Sequence, residues 1–215
     1  MYTRVSILIC LCAAAAFANE AIAATLPASS VEYSADRIID SEAGVMQGKV
    51  YSAKDRERTE MQMQGMQTVM IIRRDKQLGW MLLPMQKMYQ QMDFAQAQER
   101  SGAAPDDQVE ITDVGSEPIE GLASTKYRML MKDGSAGGFI WITTEGIPVK
   151  MDMLSKSGRE KSRITVTLKN IQIGAQDPQL FELPDGYTAM PSFGAGKSKG
   201  VGGVLKSAFS NFAGR

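Results

Sequence analysis

The sequence contains no histidine, and its two cysteines, Cys10 and Cys12, lie in an apolar segment near the N-terminus. If that segment is a cleaved leader, the mature chain has neither a thiol nor an imidazole. This excludes disulfides, the commonest nucleophile–base pairs and most transition-metal sites. Asp and Glu remain, but they fall in turns and on polar strand faces, where no pair shares an apolar pocket. We therefore expect a non-enzymatic protein without a cofactor or a metal site.

An excess of charge of either sign is also missing. The chain has 24 Lys and Arg against 24 Asp and Glu, and loss of Arg4 and Glu20 with the leader would leave 23 of each. Such a balance gives no electrostatic footprint for nucleic acid or for an anionic membrane surface. No later segment reaches the length of about 20 apolar residues that a membrane-spanning helix needs. We expect a monomer that is not an integral membrane protein.

Residues 1–23 have the order of parts found in a secretory signal peptide. Arg4 precedes an apolar run over residues 5–17, and Ala21 and Ala23 are the small residues that a signal peptidase reads. The run is too short to span a bilayer as a helix. We expect cleavage before Ala24 and a mature protein in the periplasm.

Hydrophobicity alternates with a period of two from residue 31 to residue 173, which is typical of half-buried strands. The predicted strands are 31–40, 45–53, 56–63, 66–74, 78–83, 87–92, 109–114, 124–131, 138–143, 149–155 and 163–173. Residues 93–106 have helix formers followed by breakers, and we predict a short helix and loop over the sheet. The expected fold is mainly β, a single curved antiparallel sheet or unclosed β-barrel of about eleven strands with short helical lid segments.

The C-terminal part has two different compositions. Residues 177–184 lie between prolines, and we predict a helical turn there that plugs one mouth of the sheet with Leu180 and Phe181. Residues 191–215 are rich in glycine and predict a flexible tail, whose end has the apolar spacing of a short amphipathic helix but is expected to be frayed more readily than helical. The chain thus divides into a signal peptide (1–23), one β domain (24–190) and a tail (191–215).

Methionine is the outstanding compositional feature, since fourteen of the fifteen methionines lie beyond the leader. Members of a pair two residues apart share one face of a strand. Three interpretations remain open: a core filled by a flexible side chain, an adaptable apolar cavity, or a Cu(I) site of thioethers with the spacing of Met61, Met63 and Met66. The cavity interpretation predicts these wall residues: Met61, Met63, Met70, Met129, Met131, Trp141, Met151 and Met153.

Segments 121–129, 138–142, 146–151 and 177–187 resemble the lipoprotein-localisation carrier superfamily (LolA/LolB-like), and most nearly an uncharacterised exported branch, a domain of unknown function. The resemblance covers residues 31–190. It implies an unclosed antiparallel barrel of about eleven strands, with helices over an apolar interior that receives lipoprotein acyl chains in the carriers. Two departures are the Gly-rich tail and the lack of a counterpart to the arginine of the carriers' lid-closing contact.

These expectations combine into one leading hypothesis with two alternatives. The leading hypothesis is a non-enzymatic periplasmic protein that binds or carries an apolar ligand, a lipid or a lipoprotein acyl chain, in a methionine-lined cavity. One alternative is a periplasmic Cu(I)-binding protein that uses the methionine clusters. The other is an envelope sensor or interaction module with no small ligand, whose tail docks to an envelope protein partner.

Overall fold

The computed structural model describes residues 25–63, 65–94, 108–157 and 160–190. The strands are β1 (Tyr33–Ser41), β2 (Gly44–Ala53), β3 (Arg56–Met63), β4 (Met66–Arg73), β5 (Leu78–Leu83), β6 (Met88–Asp93), β7 (Val109–Ser116), β8 (Ser124–Met131), β9 (Ala136–Thr143), β10 (Pro148–Ser157), β11 (Glu160–Ile173) and β12 (Thr188–Ala189). Short 3₁₀ turns span Arg74–Lys76, Pro84–Gln86 and Pro178–Phe181.

All twelve strands belong to one sheet, in the order β12-β6-β5-β4-β3-β2-β1-β11-β10-β9-β8-β7. The chain steps outward from β1 to β6, and then returns from β7 at the far edge to β11, which pairs with β1. Within the described ranges β7 and β12 are free edges, so the curved sheet does not close into a barrel. The predicted fold class is confirmed.

The strand β12 is the element that the alternation did not predict. It has two residues and pairs in parallel with β6, while the other strand pairs are antiparallel. A two-residue strand is too short to show a periodicity of its own. Its partner strand would otherwise be the edge, so β12 covers part of that edge.

The sheet has two faces, which the strand registers define. Directly paired residues point to the same side of a sheet and successive residues alternate. Twelve of the fourteen methionines beyond the leader fall on one side, which we call the methionine face. They are Met46, Met61, Met63, Met66, Met70, Met81, Met88, Met92, Met129, Met131, Met151 and Met153. The other side is called the opposite face.

The buried side of the sheet changes between its two halves. Around β1 and β8–β11 the core lies on the methionine face, where Ile39, Met151 and Val166 are at most 1% exposed. Around β4 and β5 the core lies on the opposite face, where Ile71 and Leu82 are fully buried. The buried side of one continuous sheet therefore differs between its halves, and a third apolar cluster contains Tyr33, Val50 and Trp141.

The C-terminal segment covers the opposite face of β3–β6. Phe181 is fully buried there in the cluster with Ile71 and Leu82. Arg73 fixes the segment through hydrogen bonds to the Phe181 carbonyl and the Glu182 carboxylate. The prediction that Leu180 and Phe181 plug a mouth of the sheet is therefore wrong, because the segment lies flat on a face whose apolar residues need covering.

An N-terminal segment, residues 25–32, leads into β1 and is fixed to the turn between β9 and β10. The Ser30 amide donates a hydrogen bond to the Glu145 carbonyl at 2.8 Å. Gly146 has φ +83°, and a Cβ there would lie 2.6 Å from the carbonyl carbon of Ala28. Glycine at this turn thus permits both the left-handed backbone and the close approach of the segment.

Several expectations fall outside the described residues. They concern the signal peptide and its cleavage before Ala24, most of the helical lid at 93–106, and the tail at 191–215. Among the residues that the structure does describe, no helix is long and apolar enough to cross a membrane.

Candidate ligand-binding face

The structure brings seven of the eight predicted wall residues to one side of the sheet. The backbone registers place Met61, Met63, Met70, Met129, Met131, Met151 and Met153 on the methionine face. Trp141 is paired with Lys126 and Lys150 on the neighbouring strands, and it lies on the opposite face. These positions show a shared surface for the methionines, and their role in binding remains a prediction.

Three of the predicted methionines form part of a filled core. Met129 is 4% exposed, Met151 is fully buried and Met153 is 8% exposed. They pack in one cluster with Ile140 and Ile164. In this half of the sheet the methionines therefore fill space as flexible core residues, which is one of the three interpretations of the sequence.

The methionines on β3–β6 are more accessible. Met61, Met70, Met81 and Met88 are half-buried, and Met66 is 49% exposed. We call these five residues the open methionine surface. Met70 lies directly opposite Met81 across β4 and β5, and neighbouring pairs at such positions are within side-chain reach. The five thioether side chains are flexible, and polar Thr59 and Gln90 lie directly beside Met70 and Met81 on the flanking strands.

Sequence reasoning did not include Met66, Met81 and Met88 among the wall residues. The strands that carry these methionines were predicted with nearly the observed bounds, so the alternation already indicated which face of its strand each methionine occupies. The pairing of β5 with β4 and β6 was needed to place them beside Met70, and that pairing is a property of the folded sheet.

Glycines make room for two of the thioethers. A Cβ on Gly48 would lie 2.7 Å from the Met61 sulfur, and one on Gly138 would lie 2.8 Å from the Met153 sulfur. Real Cβ atoms do not approach other heavy atoms so closely, so the methionine on the neighbouring strand occupies the space that the glycine leaves. The two side chains therefore lie across the adjacent strand rather than standing upright.

A buried polar group interrupts the methionine face on β1 and β3. Arg37 is 2% exposed, donates to the Thr59 hydroxyl at 3.1 Å and pairs with the Glu57 carboxylate at 3.4 Å. The Thr59 hydroxyl also donates to Glu57 at 3.2 Å. Burial, and then the negative charge of Glu57, raise the pKa of Tyr33 well above its usual range. The sequence analysis missed this group, although Arg37 has the same strand phase as the apolar Ala35 and Ile39.

A cavity of about 520 Å³ lies at one end of the methionine face. Its lining includes Tyr33 and Glu57 on one side, Ile140 and Ile142 on the other, and the N-terminal segment. Four strands separate β3 from β9 in the sheet, a distance of about 24 Å if the sheet were flat. Because both strands line one cavity, the sheet curves toward its methionine face. Charged residues, including Arg74, make this cavity more polar than the open methionine surface.

Trp141 occupies a different environment on the opposite face. It is 4% exposed, and the ammonium groups of Lys126 and Lys150 each lie 4.9 Å from the centre of its ring. Lys126 also donates to Glu117 at 2.8 Å, which lowers the pKa of that carboxyl. The indole also packs in an apolar cluster with Ile147 and Val149, so it is a core side chain with two cations against its ring.

Several charged side chains of the described residues are engaged in ion pairs. Among the described ranges, no group of three or more His, Cys, Asp or Glu side chains is placed to hold a metal ion. The carboxyls whose pKa values are shifted, such as Asp75 and Asp152, are lowered first by hydrogen bonds from arginine. Asp75, in the 3₁₀ turn Arg74–Lys76, pairs with Arg73, and Asp152 pairs with Arg163 across β10 and β11.

The fold and its surface define an open, twelve-stranded β-sheet protein with a methionine-lined face. The chain belongs to the family described as a domain of unknown function, DUF4412, whose model matches residues 38–146, just over half of the chain. No curated protein sequence matches it.

The solved structures that resemble the chain are distant in sequence. An uncharacterized conserved protein from Thermus thermophilus is 13% identical, with a TM-score of 0.54 over 75% of this chain and 90% of that one. MucB in complex with MucA(peri) is 13% identical, with a TM-score of 0.44 over 70% and 53% of the two chains. The lipoprotein LppX from Mycobacterium tuberculosis is 12% identical, with a TM-score of 0.38 over 64% and 85%. The first of these shows a shared fold, and the other two are more remote.

Proposed function

We propose that this protein is a non-enzymatic periplasmic binding protein that holds an apolar chain against the open methionine surface. The observation that carries this proposal is the gathering of twelve methionines on one face, five of which remain accessible on β3–β6. Unbranched thioether side chains adapt to apolar ligands of varied shape better than branched aliphatic ones do. The resemblance to lipoprotein carriers favours a lipid or a lipoprotein acyl chain as the ligand.

The position of the core supports binding rather than simple packing. The strands β4 and β5 bury Val69, Ile71 and Leu82 on their opposite face, beneath the C-terminal segment. Their methionine face is therefore not needed to complete that cluster. An accessible apolar surface on the other side of an already buried layer is typical of an interaction site.

The free energy gained by burying an apolar chain on this surface is large enough for micromolar affinity. Burial of ten methylenes contributes about 8 kcal/mol, which alone corresponds to a dissociation constant of about 1 μM. Ordering of the chain and of the methionine side chains reduces this value. Binding is therefore expected to be reversible, so release needs only a competing apolar surface.

Native mass spectrometry of the protein, purified from a periplasm without detergent, tests the ligand directly. We expect a mass excess that organic extraction removes and that matches a lipid. A bare protein mass, together with no uptake of added lipid, would contradict the proposal and favour the interaction-module alternative.

Titration with the fluorescent apolar probe N-phenyl-1-naphthylamine tests the surface. Met70→Gln combined with Met81→Gln should weaken probe binding by about tenfold or more, because two polar amides would face the probe. Met85→Gln is the matched control, since Met85 is 72% exposed in the 3₁₀ turn Pro84–Gln86, away from the surface. Equal affinities of the double variant and the control would place the ligand elsewhere.

A Cu(I) site is the second candidate, and one observation favours it. Met70 and Met81 are directly paired, and Met61 and Met88 occupy diagonal positions on the flanking strands. Thioethers are soft ligands suited to Cu(I). Anaerobic titration with a competing Cu(I) chelator should detect a site that the Met70→Gln and Met81→Gln variant lacks. No competition at equimolar chelator would exclude this function.

A further inference from the structure

The open methionine surface concentrates oxidisable sulfur where solvent reaches it. Met66 is 49% exposed, and Met61, Met70, Met81 and Met88 are half-buried. The chain has no cysteine beyond Cys12, so no thiol of the β domain competes for an oxidant. Methionine sulfoxide forms readily at accessible thioethers and is reversible by dedicated reductases.

We propose that the open methionine surface is a site of reversible oxidation, at which hypochlorous acid or hydrogen peroxide converts the thioethers to sulfoxides while the protein stays folded. Each sulfur loses two electrons and gains one oxygen atom from the oxidant. Hypochlorous acid is thereby reduced to chloride with release of a proton, and hydrogen peroxide is reduced to water. A methionine sulfoxide reductase returns the thioether and releases the oxygen as water, with the two electrons and two protons supplied by a dithiol that is oxidised to a disulfide.

The fold determines which sulfurs react. Met92, Met129, Met151 and Met153 lie on the same face but are at most 8% exposed. The last three pack in the apolar cluster of the other half of the sheet. The structure thus divides the methionine face into an accessible group and a protected group.

The same fold explains why oxidation of the accessible group leaves the sheet intact. The strands that carry most of this group are held by the cluster on their opposite face, which contains Ile71, Leu82 and Phe181. That cluster contains no methionine among its buried residues. Sulfoxides at Met66, Met70, Met81 and Met88 therefore change the polarity of the surface without entering this core, whereas Met61 also packs against the cluster of the other half of the sheet.

The consequence for ligands rests on the proposed function. A sulfoxide oxygen that faces an apolar chain loses its water without gaining a hydrogen-bond donor, which weakens binding by about tenfold for each such sulfur. Oxidation would thus release an apolar ligand, and reduction would restore binding. The surface would then act as a redox-controlled binding site built without cysteine.

The first test treats the folded, full protein with limiting hypochlorous acid and maps the sulfoxides by peptide mass spectrometry. Met85, which is 72% exposed and off the surface, is the internal standard for a freely accessible thioether. We expect the five surface methionines to oxidise at rates within about tenfold of Met85, and Met129, Met151 and Met153 to lag by about a hundredfold or more. Equal rates in the two groups would overturn the proposal, as would a lower urea midpoint at the dose that oxidises only the open surface.

The second test measures the affinity of N-phenyl-1-naphthylamine before oxidation, after it, and after treatment with methionine sulfoxide reductases. We expect a loss of tenfold or more that the reductases reverse. In Met70→Leu combined with Met81→Leu the ratio of affinities before and after oxidant should shrink, whereas Met85→Leu should keep the wild-type ratio. An unchanged ratio in the double variant would refute the link to binding. If the untreated protein binds no probe, the proposed function fails, while the sulfoxide map and the urea midpoint still decide the oxidation site.

Discussion

The Arg37–Glu57 pair offers a sharp test of how the methionine face is held together. The Arg37 side chain is 2% exposed and that of Glu57 is 12% exposed, and the two are 3.4 Å apart. The substitution Arg37→Leu would remove the cation that pairs with the buried Glu57 carboxylate. Of the contacts described for that carboxylate, the hydrogen bond from the Thr59 hydroxyl would remain. Removal of one partner of a buried pair costs about 3–5 kcal/mol of unfolding free energy. For a domain whose total stability is about 5–15 kcal/mol, such a loss is large.

The double variant, Arg37→Leu with Glu57→Leu, separates the charge effect from packing. Replacement of both partners by apolar residues is often neutral or stabilising, so we expect the double variant to recover most of the loss. The coupling energy of the double-mutant cycle should be at least about 2–3 kcal/mol, at or above the upper end of values for contacting residues. Urea unfolding followed by the fluorescence of Trp80 and Trp141 is a suitable assay, because both indoles are buried.

A surface pair on the opposite face is the matched control. Lys49 lies 3.7 Å from Asp36, with side chains 61% and 40% exposed. Lys49→Leu should change the unfolding free energy by less than about 1 kcal/mol. Additive effects of the two substitutions at Arg37 and Glu57, with no coupling, would refute the reasoning that burial makes this pair important.

Three further predictions concern packing and pH. Gly138→Ala should destabilise the sheet by about 1–3 kcal/mol in urea unfolding, because its Cβ would overlap the Asp152 carbonyl oxygen and lie 2.8 Å from the Cα and the sulfur of Met153; a stabilised variant would show that the neighbouring strand moves away freely. Phe181→Ala should cost about 3–5 kcal/mol and speed proteolysis at the C-terminal segment, and unchanged cleavage would mean that the ring does not hold the segment. Hydrogen bonds from Arg73 lower the pKa of Asp75, so its contribution is present at neutral pH and is lost as pH falls below about 4; the urea midpoint of Asp75→Asn should therefore depend less on pH in that range than that of the wild type.

Much of the fold could be predicted because alternation carries both strand position and face. Val109–Ser116 and Ser124–Met131 match the predicted strands at 109–114 and 124–131 within two residues. Polar turns helped, since Asp55 adopts φ 58° in the two-residue connection that the sequence predicted. A meander of antiparallel hairpins makes neighbours in sequence neighbours in space, which is the simplest case for such reasoning.

The change of the buried side between the two halves could not be predicted. An alternating strand has an apolar side and a polar side, but β4 carries apolar residues on both, with Met70 on one and Ile71 on the other. Which side is covered depends on where the segment around Phe181 packs, a contact more than 100 residues away along the chain. Trp141 shows the same limit, because its aromatic character fits a cavity wall and a core position beside two lysines equally well.

The separation of the two sides of β3–β6 has a consequence for how this scaffold can change. The opposite face of these strands is packed against Phe181, while the open methionine surface carries flexible side chains beside buried Thr59, Ile72 and Met92 on the same face. Substitutions within the open methionine surface therefore alter its shape, volume and polarity with a small loss of folding stability. A lineage can explore new ligands on such a surface without first acquiring compensating mutations. A combinatorial library that varies the five residues of the open methionine surface should likewise consist mostly of variants that remain folded.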